Sequence, residues 1–307
     1  MPNIRANGID IEYETFGRAS DDPLLLIMGL GSQMILWPEE LCQQLADHGH
    51  YVIRFDNRDI GLSTHLHDAG VPNILQMFVD AMMGQPLTAP YTLDDMADDA
   101  VGLLRALDIE RAHIVGASMG GMIAQTIAFR HPEVVKTLVS IMSTTGDRSL
   151  PQAKPEALAI LTEPPVFERE AVIERGLRVW RTIGSPGYPF DEAMVREKAG
   201  LSFDRGFHPE GQVRQLAAIL AHGSRRERLA GVQVPTLVIH GDADPLVPVE
   251  GGHDTAAHIS GAELLIIEGM GHDLPRAVWP RIVGAVTALT GAARRLEAAA
   301  EAEVGAA

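Results

Sequence analysis

Residues 113–125 read HIVGASMGGMIAQ, and one serine stands in this stretch between Gly116 and the pair Gly120–Gly121. An apolar run typical of a buried strand precedes Ser118, and apolar residues at helical spacing follow it. Strand interiors do not favour glycine, and the start of a helix does not need three glycines. The stretch therefore predicts a sharp strand–turn–helix bend, with Ser118 in a strained conformation and its hydroxyl exposed above a sheet. A helix N-cap serine is the simpler alternative.

Composition restricts the possible fold and partners. The 307 residues are 46% hydrophobic and 21% charged, which suits one large α/β domain with an insertion, or two domains. A net charge of −16 argues against nucleic acid or an anionic membrane as the main partner and favours a neutral small-molecule substrate. Cys42 is the single cysteine, so an intrachain disulfide or a multi-cysteine metal site is excluded.

The order of apolar patterns predicts the fold. Strand-like runs such as IDIEYETFG, PLLLIMG, YVIRFD and PTLVIHGD alternate with helical patterns at residues 39–48, 93–107, 119–130 and 275–293. This alternation indicates an α/β fold with a mostly parallel sheet, helices on both faces and an antiparallel edge strand. Residues 146–225 have helical but no strand patterns. We therefore expect a helical cap inserted into a core of residues 1–145 and 226–307.

The apolar runs of the sequence bear on where the protein is located. No leader-like or membrane-spanning apolar run is found in the sequence, and we expect a soluble, cytoplasmic protein with no integral membrane segment. The oligomeric state stays open.

Residues 73–84 predict a short helix capped by Asn73. Its apolar face either packs against neighbours, which we favour, or forms a lip over a site; the residues of this face are Ile74, Leu75, Met77, Phe78 and Met82.

A serine nucleophile needs a base, and the position of His272 suits that role best. His272 lies on a glycine-rich loop, GMGHDLP, directly after a buried strand pattern. The other histidines have simpler explanations: a buried structural position for His240, an exposed helix for His253 and His258, and a surface pair rather than a metal site for His65 and His67.

The base needs a carboxylate partner, and Asp242 and Asp244 both come directly after the strand pattern TLVIHG. Either residue could instead serve a turn. Ser118, this carboxylate and His272 each follow a predicted strand at its carboxyl end, where α/β sheets place their sites.

Together these segments resemble the α/β-hydrolase fold with a helical cap, and within it the bacterial carboxylesterases and lipase-like esterases, including anthracycline methylesterases. The resemblance rests on LLIMGLGSQMILWPEEL, VIRFDNRDIGLS, VGASMGGMIAQ, TLVIHGDADPLVP and GMGHDLP. It implies Ser118 as nucleophile, His272 as base and Asp244 rather than Asp242 as acid. It also implies an oxyanion hole formed by the backbone N–H groups of Leu30 and Met119.

The chain departs from the family pattern at two places. Met28-Gly29 replaces the frequent His-Gly, which puts the side-chain support of the oxyanion loop in doubt. Asp59 replaces a glycine in the segment DNRDIGLS, where we interpret Asp56 and Arg58 as structural.

The resulting hypothesis is hydrolysis of small to medium apolar carboxylic esters through an acyl-enzyme, with no metal or organic cofactor. Neutral His272 is required as base, so activity is expected to fall below about pH 6.5. We expect an apolar substrate pocket that includes Met28, Met34, Met142, Trp180, Tyr188, Phe207 and Met270.

Several alternatives compete with this hypothesis. On the same fold, thioester hydrolysis, C–C bond hydrolysis and peracid formation stay open, whereas the filled triad argues against a non-catalytic relative. A dinucleotide-binding oxidoreductase is disfavoured, because Met34 replaces the third glycine of its motif and Trp37-Pro38 interrupts the helix.

Overall fold

A computed structural model describes the backbone of residues 2–305 and the side chains of residues 2–299, so residues 1, 306 and 307 of the expected core lie outside the described part. Its centre is one eight-stranded sheet with the order β1-β2-β4-β3-β5-β6-β7-β8. The strands are β1 (Asn3–Ala6), β2 (Ile9–Phe16), β3 (Asp22–Ile27), β4 (His50–Phe55), β5 (Ala112–Ala117), β6 (Val135–Ile141), β7 (Thr236–Gly241) and β8 (Glu263–Ile267).

Strands β1 and β2 are antiparallel to their neighbours, and every other pairing is parallel. The predicted sheet with an antiparallel edge is therefore confirmed. The sequence patterns missed β1, because this strand has only four residues and ends in the turn at Asn7 and Gly8.

Eleven α-helices surround the sheet in the described part of the chain. They are α1 (Glu39–Asp47), α2 (Ile74–Met82), α3 (Leu93–Ala106), α4 (Met119–Arg130), α5 (Pro155–Leu161), α6 (Arg169–Ile183), α7 (Glu192–Gly206), α8 (Pro209–His222), α9 (Arg226–Leu229), α10 (Glu250–Ala257) and α11 (Trp279–Gly305). None of them combines the length and the apolar character of a transmembrane span.

Side chains of the central strands alternate between two apolar layers. In β3, Leu25 and Ile27 join the layer that contains buried residues of α3 and α4, whereas Leu24 and Leu26 join the layer of α1 and α11. This alternation follows from the two-residue repeat of a strand, and it explains why the strand is apolar throughout. Helices on both faces leave the carboxyl edge of the sheet open for the site.

Residues 146–225 contain α5 to α8 and no strand, and they connect β6 to β7. Two ion pairs bind this segment to the loop after β4. Asp56 pairs with Arg205 of α7 at 3.1 Å, and Asp59 pairs with Arg214 of α8 at 2.8 Å. The departure at Asp59 thus has a structural explanation, since its carboxylate holds the buried guanidinium of Arg214.

Helix α2 packs less tightly than the sequence analysis favoured. Asn73 caps it as predicted, with Oδ1 accepting from the backbone N–H of Gln76 at 3.1 Å. Of the apolar face, Met77 is buried, but Leu75 is 75% and Met82 89% exposed. The favoured packing is therefore wrong for Leu75 and Met82.

Candidate active site

Ser118 occupies the turn between β5 and α4 in a strained backbone conformation. Its φ of 57° and ψ of −120° lie outside the regions that non-glycine residues favour. A Cβ atom on Gly116 would lie 2.0 Å from the carbonyl oxygen of Gly120, and one on Gly120 would lie 2.0 Å from that of Ile27. The two glycines therefore let α4 begin close against β3 and β5, so that the bend presents the hydroxyl of Ser118.

His272 connects Ser118 to Asp244 in one hydrogen-bonded chain. Nε2 of His272 lies 2.9 Å from Oγ of Ser118, and Nδ1 lies 2.7 Å from Oδ2 of Asp244. A carboxylate only accepts hydrogen bonds, so Nδ1 carries the proton and Nε2 is left to accept from the serine hydroxyl. The side chains of both His272 and Asp244 are nearly excluded from solvent.

The loop after β7 holds the carboxylate of Asp244 in place. Oδ1 of Asp244 accepts from the backbone N–H groups of Leu246 and Val247, each at 2.9 Å. Asp242 instead accepts from the N–H of Gly269 at 2.7 Å and so supports the loop that carries His272. The geometry separates the two aspartates that local sequence left open.

The other candidate histidines take no part in these hydrogen bonds. His240 is fully buried, as predicted, with Nε2 2.9 Å from the carbonyl oxygen of Val247 and 3.7 Å from Oδ2 of Asp244, and burial lowers its pKa. His253 is exposed on α10, and His258, which follows the helix, is half-buried.

The loop after β3 lies directly beside Ser118. A Cβ on Gly29 would be 3.1 Å from the Cβ of Ser118, so the adjoining N–H of Leu30 is close to the serine. Met119 is the first residue of α4, where backbone N–H groups have no partner within the helix. These are the two N–H groups that the family resemblance implied.

Two side chains that the sequence analysis missed support this loop. Nδ2 of Asn57 donates to the carbonyl oxygen of Met28 at 3.0 Å, and Oε1 of Gln215 accepts from the N–H of Gly31 at 2.9 Å. They answer the doubt about the absent histidine at position 28. Asn57 stands in the quoted motif DNRDIGLS, but Gln215 comes from α8 with no local signal.

A cavity of about 1880 Å³ lies between the carboxyl edge of the sheet and α5 to α8, and it reaches Ser118 and His272. Five of the expected pocket residues line it, namely Met28, Met142, Trp180, Tyr188 and Phe207. The expectation is wrong for Met34 and Met270, which are fully buried in the protein and do not line the cavity. A position near a strand end does not determine whether a methionine side chain faces the cavity or the protein core.

One group of side chains, of which His208 lines the cavity, has the composition of a metal site. Potential ligand atoms of His67, His208 and Glu210 lie within 4.8 Å of one another. However, Nη2 of Arg214 lies 2.7 Å from Nε2 of His208, and burial, with the charges of His65 and Arg214, lowers the pKa of His208 to about 4. Because Nε2 of His208 accepts from Arg214, Nδ1 of His208 carries the ring proton. A cation could bind His208 only by displacing the guanidinium of Arg214 or that proton, so we assign no metal to the group.

Comparison with known proteins finds two matching families and several similar proteins. Residues 22–174 match the α/β hydrolase fold family, and residues 219–279 match the TAP-like protein family. Rhodomycin D methylesterase of Streptomyces sp. (strain C5) is 31% identical over 94% of this chain and 98% of its own length. A 3-oxoadipate enol-lactonase of Acinetobacter baylyi is 26% identical over 86% of this chain and 87% of its own.

Among solved structures, a meta-cleavage product hydrolase of Pseudomonas fluorescens IP01 superposes with a TM-score of 0.73 at 23% identity, covering 95% of this chain and 98% of that one. At that identity the likeness shows the fold alone. The methylesterase, in contrast, reaches 31% identity over nearly its whole length. The chain therefore belongs to the α/β-hydrolase fold family.

Proposed function

We propose that this carboxylic ester hydrolase works through an acyl-enzyme formed on Ser118, with His272 as general base and Asp244 as its carboxylate partner. The supporting observation is the chain of hydrogen bonds at 2.9 and 2.7 Å, which ends on a serine in the strained conformation of a nucleophile. An unactivated serine is a weak nucleophile, and a neutral imidazole at hydrogen-bond distance supplies the activation.

The reaction has two steps in this proposal. Oγ of Ser118 attacks the ester carbonyl carbon while its proton passes to Nε2 of His272, and the N–H groups of Leu30 and Met119 bind the resulting oxyanion. The C–O bond of the ester then breaks, and the leaving alkoxide takes the proton from His272. Water, deprotonated by the same imidazole, attacks the acyl-enzyme and releases the acid and Ser118.

The cavity supports a substrate with a bulky, apolar acid portion. Its volume of about 1880 Å³ exceeds the roughly 300–1,000 Å³ of common ligand sites. A relative that is 31% identical is named a rhodomycin D methylesterase, which by that name acts on a methyl ester. We therefore propose esters of a large apolar acid with a small alcohol, a larger class than the sequence analysis expected.

We further propose that residues 146–225 act as a cap on a core formed by residues 1–145 and 226–307. Arg205 and Arg214 in this segment pair with Asp56 and Asp59 of the core, and the cavity lies between the two parts. A cytoplasmic location also stays a prediction from the sequence.

A panel of methyl esters, from acetate to polycyclic carboxylates, tests the function beside the Ser118→Ala variant. We expect wild-type kcat/KM to rise with the size of the acid, and Ser118→Ala to lose about four to six orders of magnitude while still binding substrate. Hydrolysis that persists in Ser118→Ala would contradict the nucleophile assignment. Matched thioesters and a substrate with a hydrolysable C–C bond test two of the alternatives, thioester hydrolysis and C–C bond hydrolysis. Faster turnover of either than of the esters would reassign the reaction.

A further inference from the structure

The loop that carries His272 is fastened to the cap as well as to the sheet. On the β7–β8 side, the N–H of Ala243 donates to the carbonyl oxygen of Met270 at 3.1 Å. On the cap side, hydrogen bonds join residues 268–273 to residues 183–188. The N–H of His272 itself donates to the carbonyl oxygen of Ile183, at the end of α6, at 2.7 Å.

Ser185 is the side chain at the centre of this junction. Its Oγ accepts from the N–H of Gly271 at 2.9 Å and donates to Oδ1 of Asp273. One hydroxyl therefore contacts the residues on both sides of the catalytic histidine. We call residues 183–188 together with residues 268–273 the cap–histidine clip.

Further contacts extend the clip. The N–H of Gly187 donates to the carbonyl oxygen of Gly269 at 2.9 Å, and Oη of Tyr188 donates to that of Glu268 at 3.1 Å. The two backbones pass so closely that a Cβ on Gly187 would lie 2.7 Å from the Cα of Gly269. This continuous contact means that a displacement of the end of α6 displaces the backbone of His272.

We propose that the cap positions the catalytic histidine through this clip, with Ser185 as the positioning residue that acts through Gly271 and Asp273. This inference rests on the proposed function of Ser118 and His272. Because proton transfer from Ser118 needs the imidazole within hydrogen-bond reach, a displacement of about 1 Å lowers the reaction rate by up to about 100-fold. The position of the cap and the position of the base are then coupled.

The carboxylate of Asp273 adds an electrostatic effect. Burial raises its pKa, and the hydrogen bond from Ser185 and the nearby His272 oppose that rise. Asp244 and His240 reach His272 from the β7 side, and Asp273 from its own loop. A negative charge at position 273 favours the imidazolium, so its removal should move the acid limb of the kcat/KM–pH profile to lower pH.

The first test measures the rate at which a small fluorophosphonate modifies Ser118, followed by mass spectrometry, because this reaction needs Ser118 and His272 but no natural substrate. We expect Ser185→Ala to react about 10- to 100-fold more slowly than wild type. The KM for p-nitrophenyl acetate should stay within about twofold while kcat falls. Ser185→Thr, which keeps the hydroxyl, should restore most of the rate.

Ser149→Ala is the matched control, since Oγ of Ser149 donates to Oδ1 of Asp147 at 2.6 Å in an exposed part of the cap segment. It should react like wild type. Asp273→Asn retains an acceptor for Ser185 but removes the charge, and should shift the acid limb to lower pH.

The outcomes separate the two proposals. A wild-type protein that the reagent does not modify at Ser118 contradicts the proposed catalytic assignment itself. Modification of Ser185→Ala at the wild-type rate, or equal slowing in Ser185→Ala and Ser185→Thr, would overturn the positioning role while leaving the assignment intact. Should Ser185→Ala fail to fold, Asp273→Ala decides, because it removes the acceptor of the Ser185 hydroxyl, and modification of Ser118 at the wild-type rate then counts against the clip.

Discussion

The carboxyl edge of the sheet and the cap are built by different means. Around Ser118 the backbone itself sets the geometry, since a Cβ atom on Gly116 or Gly120 would lie only 2.0 Å from a backbone carbonyl oxygen. In the cap, by contrast, side chains from distant parts of the chain supply buried contacts to the core, such as Arg214 on Asp59 and Gln215 on Gly31. The difference predicts that substitutions at the edge destroy the site, whereas those in the cap weaken or redirect it.

The largest effect is expected at Gly116. In Gly116→Ala the new Cβ would lie 2.0 Å from the carbonyl oxygen of Gly120, so either β5 or α4 must move. We expect the free energy of unfolding to fall by about 4 kcal/mol or more, or no folded protein at all, as measured by urea denaturation. Esterase activity should be lost with it.

Gly284→Ala in α11 is the control for that substitution, because a Cβ there meets no atom within 4 Å. Replacing an exposed helical glycine with alanine should stabilise the protein by up to about 1 kcal/mol. If Gly116→Ala behaves like Gly284→Ala, the backbone at the edge is less constrained than we infer.

The second prediction concerns the buried contact between cap and core. Arg214 and Asp59 both have fully buried side chains and lie 2.8 Å apart. Arg214→Met would leave the Asp59 carboxylate buried without its partner, at an expected cost of about 3–5 kcal/mol in urea denaturation. The double variant Asp59→Asn with Arg214→Met should recover part of that loss, because the buried charge is then absent.

An exposed ion pair inside the cap gives the matched control. Arg169 and Asp204 lie 2.9 Å apart, but their side chains are 50% and 52% exposed. Arg169→Met should leave the urea midpoint unchanged, since solvent screens such pairs. Equal effects of Arg169→Met and Arg214→Met would mean that Asp59 does not fasten the cap.

The same difference explains how much the sequence could predict. The bend at Ser118 and helices α1, α3 and α4 follow from local patterns, because adjacent residues determine backbone conformation. That His272 and Asp244 lie close to Ser118 could be expected because the carboxyl ends of parallel strands meet at one edge.

The contacts of the cap could not be predicted in this way. Gln215 is 184 residues from Gly31, and no local pattern connects them. Ser185 reads as an ordinary loop residue until the fold brings it to Asp273. Met34 and Met270 failed as pocket residues for the related reason that their positions at strand ends do not fix the direction of their side chains.

The smallest effect is expected at the rim, where α2 meets the cavity. Met82 is 89% exposed and lines the cavity, whereas Leu75, 75% exposed on the same helix, does not. Met82→Ser should change the free energy of unfolding by less than about 0.5 kcal/mol and raise KM for esters of large acids about two- to fivefold, since apolar contact with the substrate is lost. Acetate esters should be unaffected, and Leu75→Ser should change neither value. If both variants raise KM equally, α2 influences binding through its general apolar character rather than as a lip.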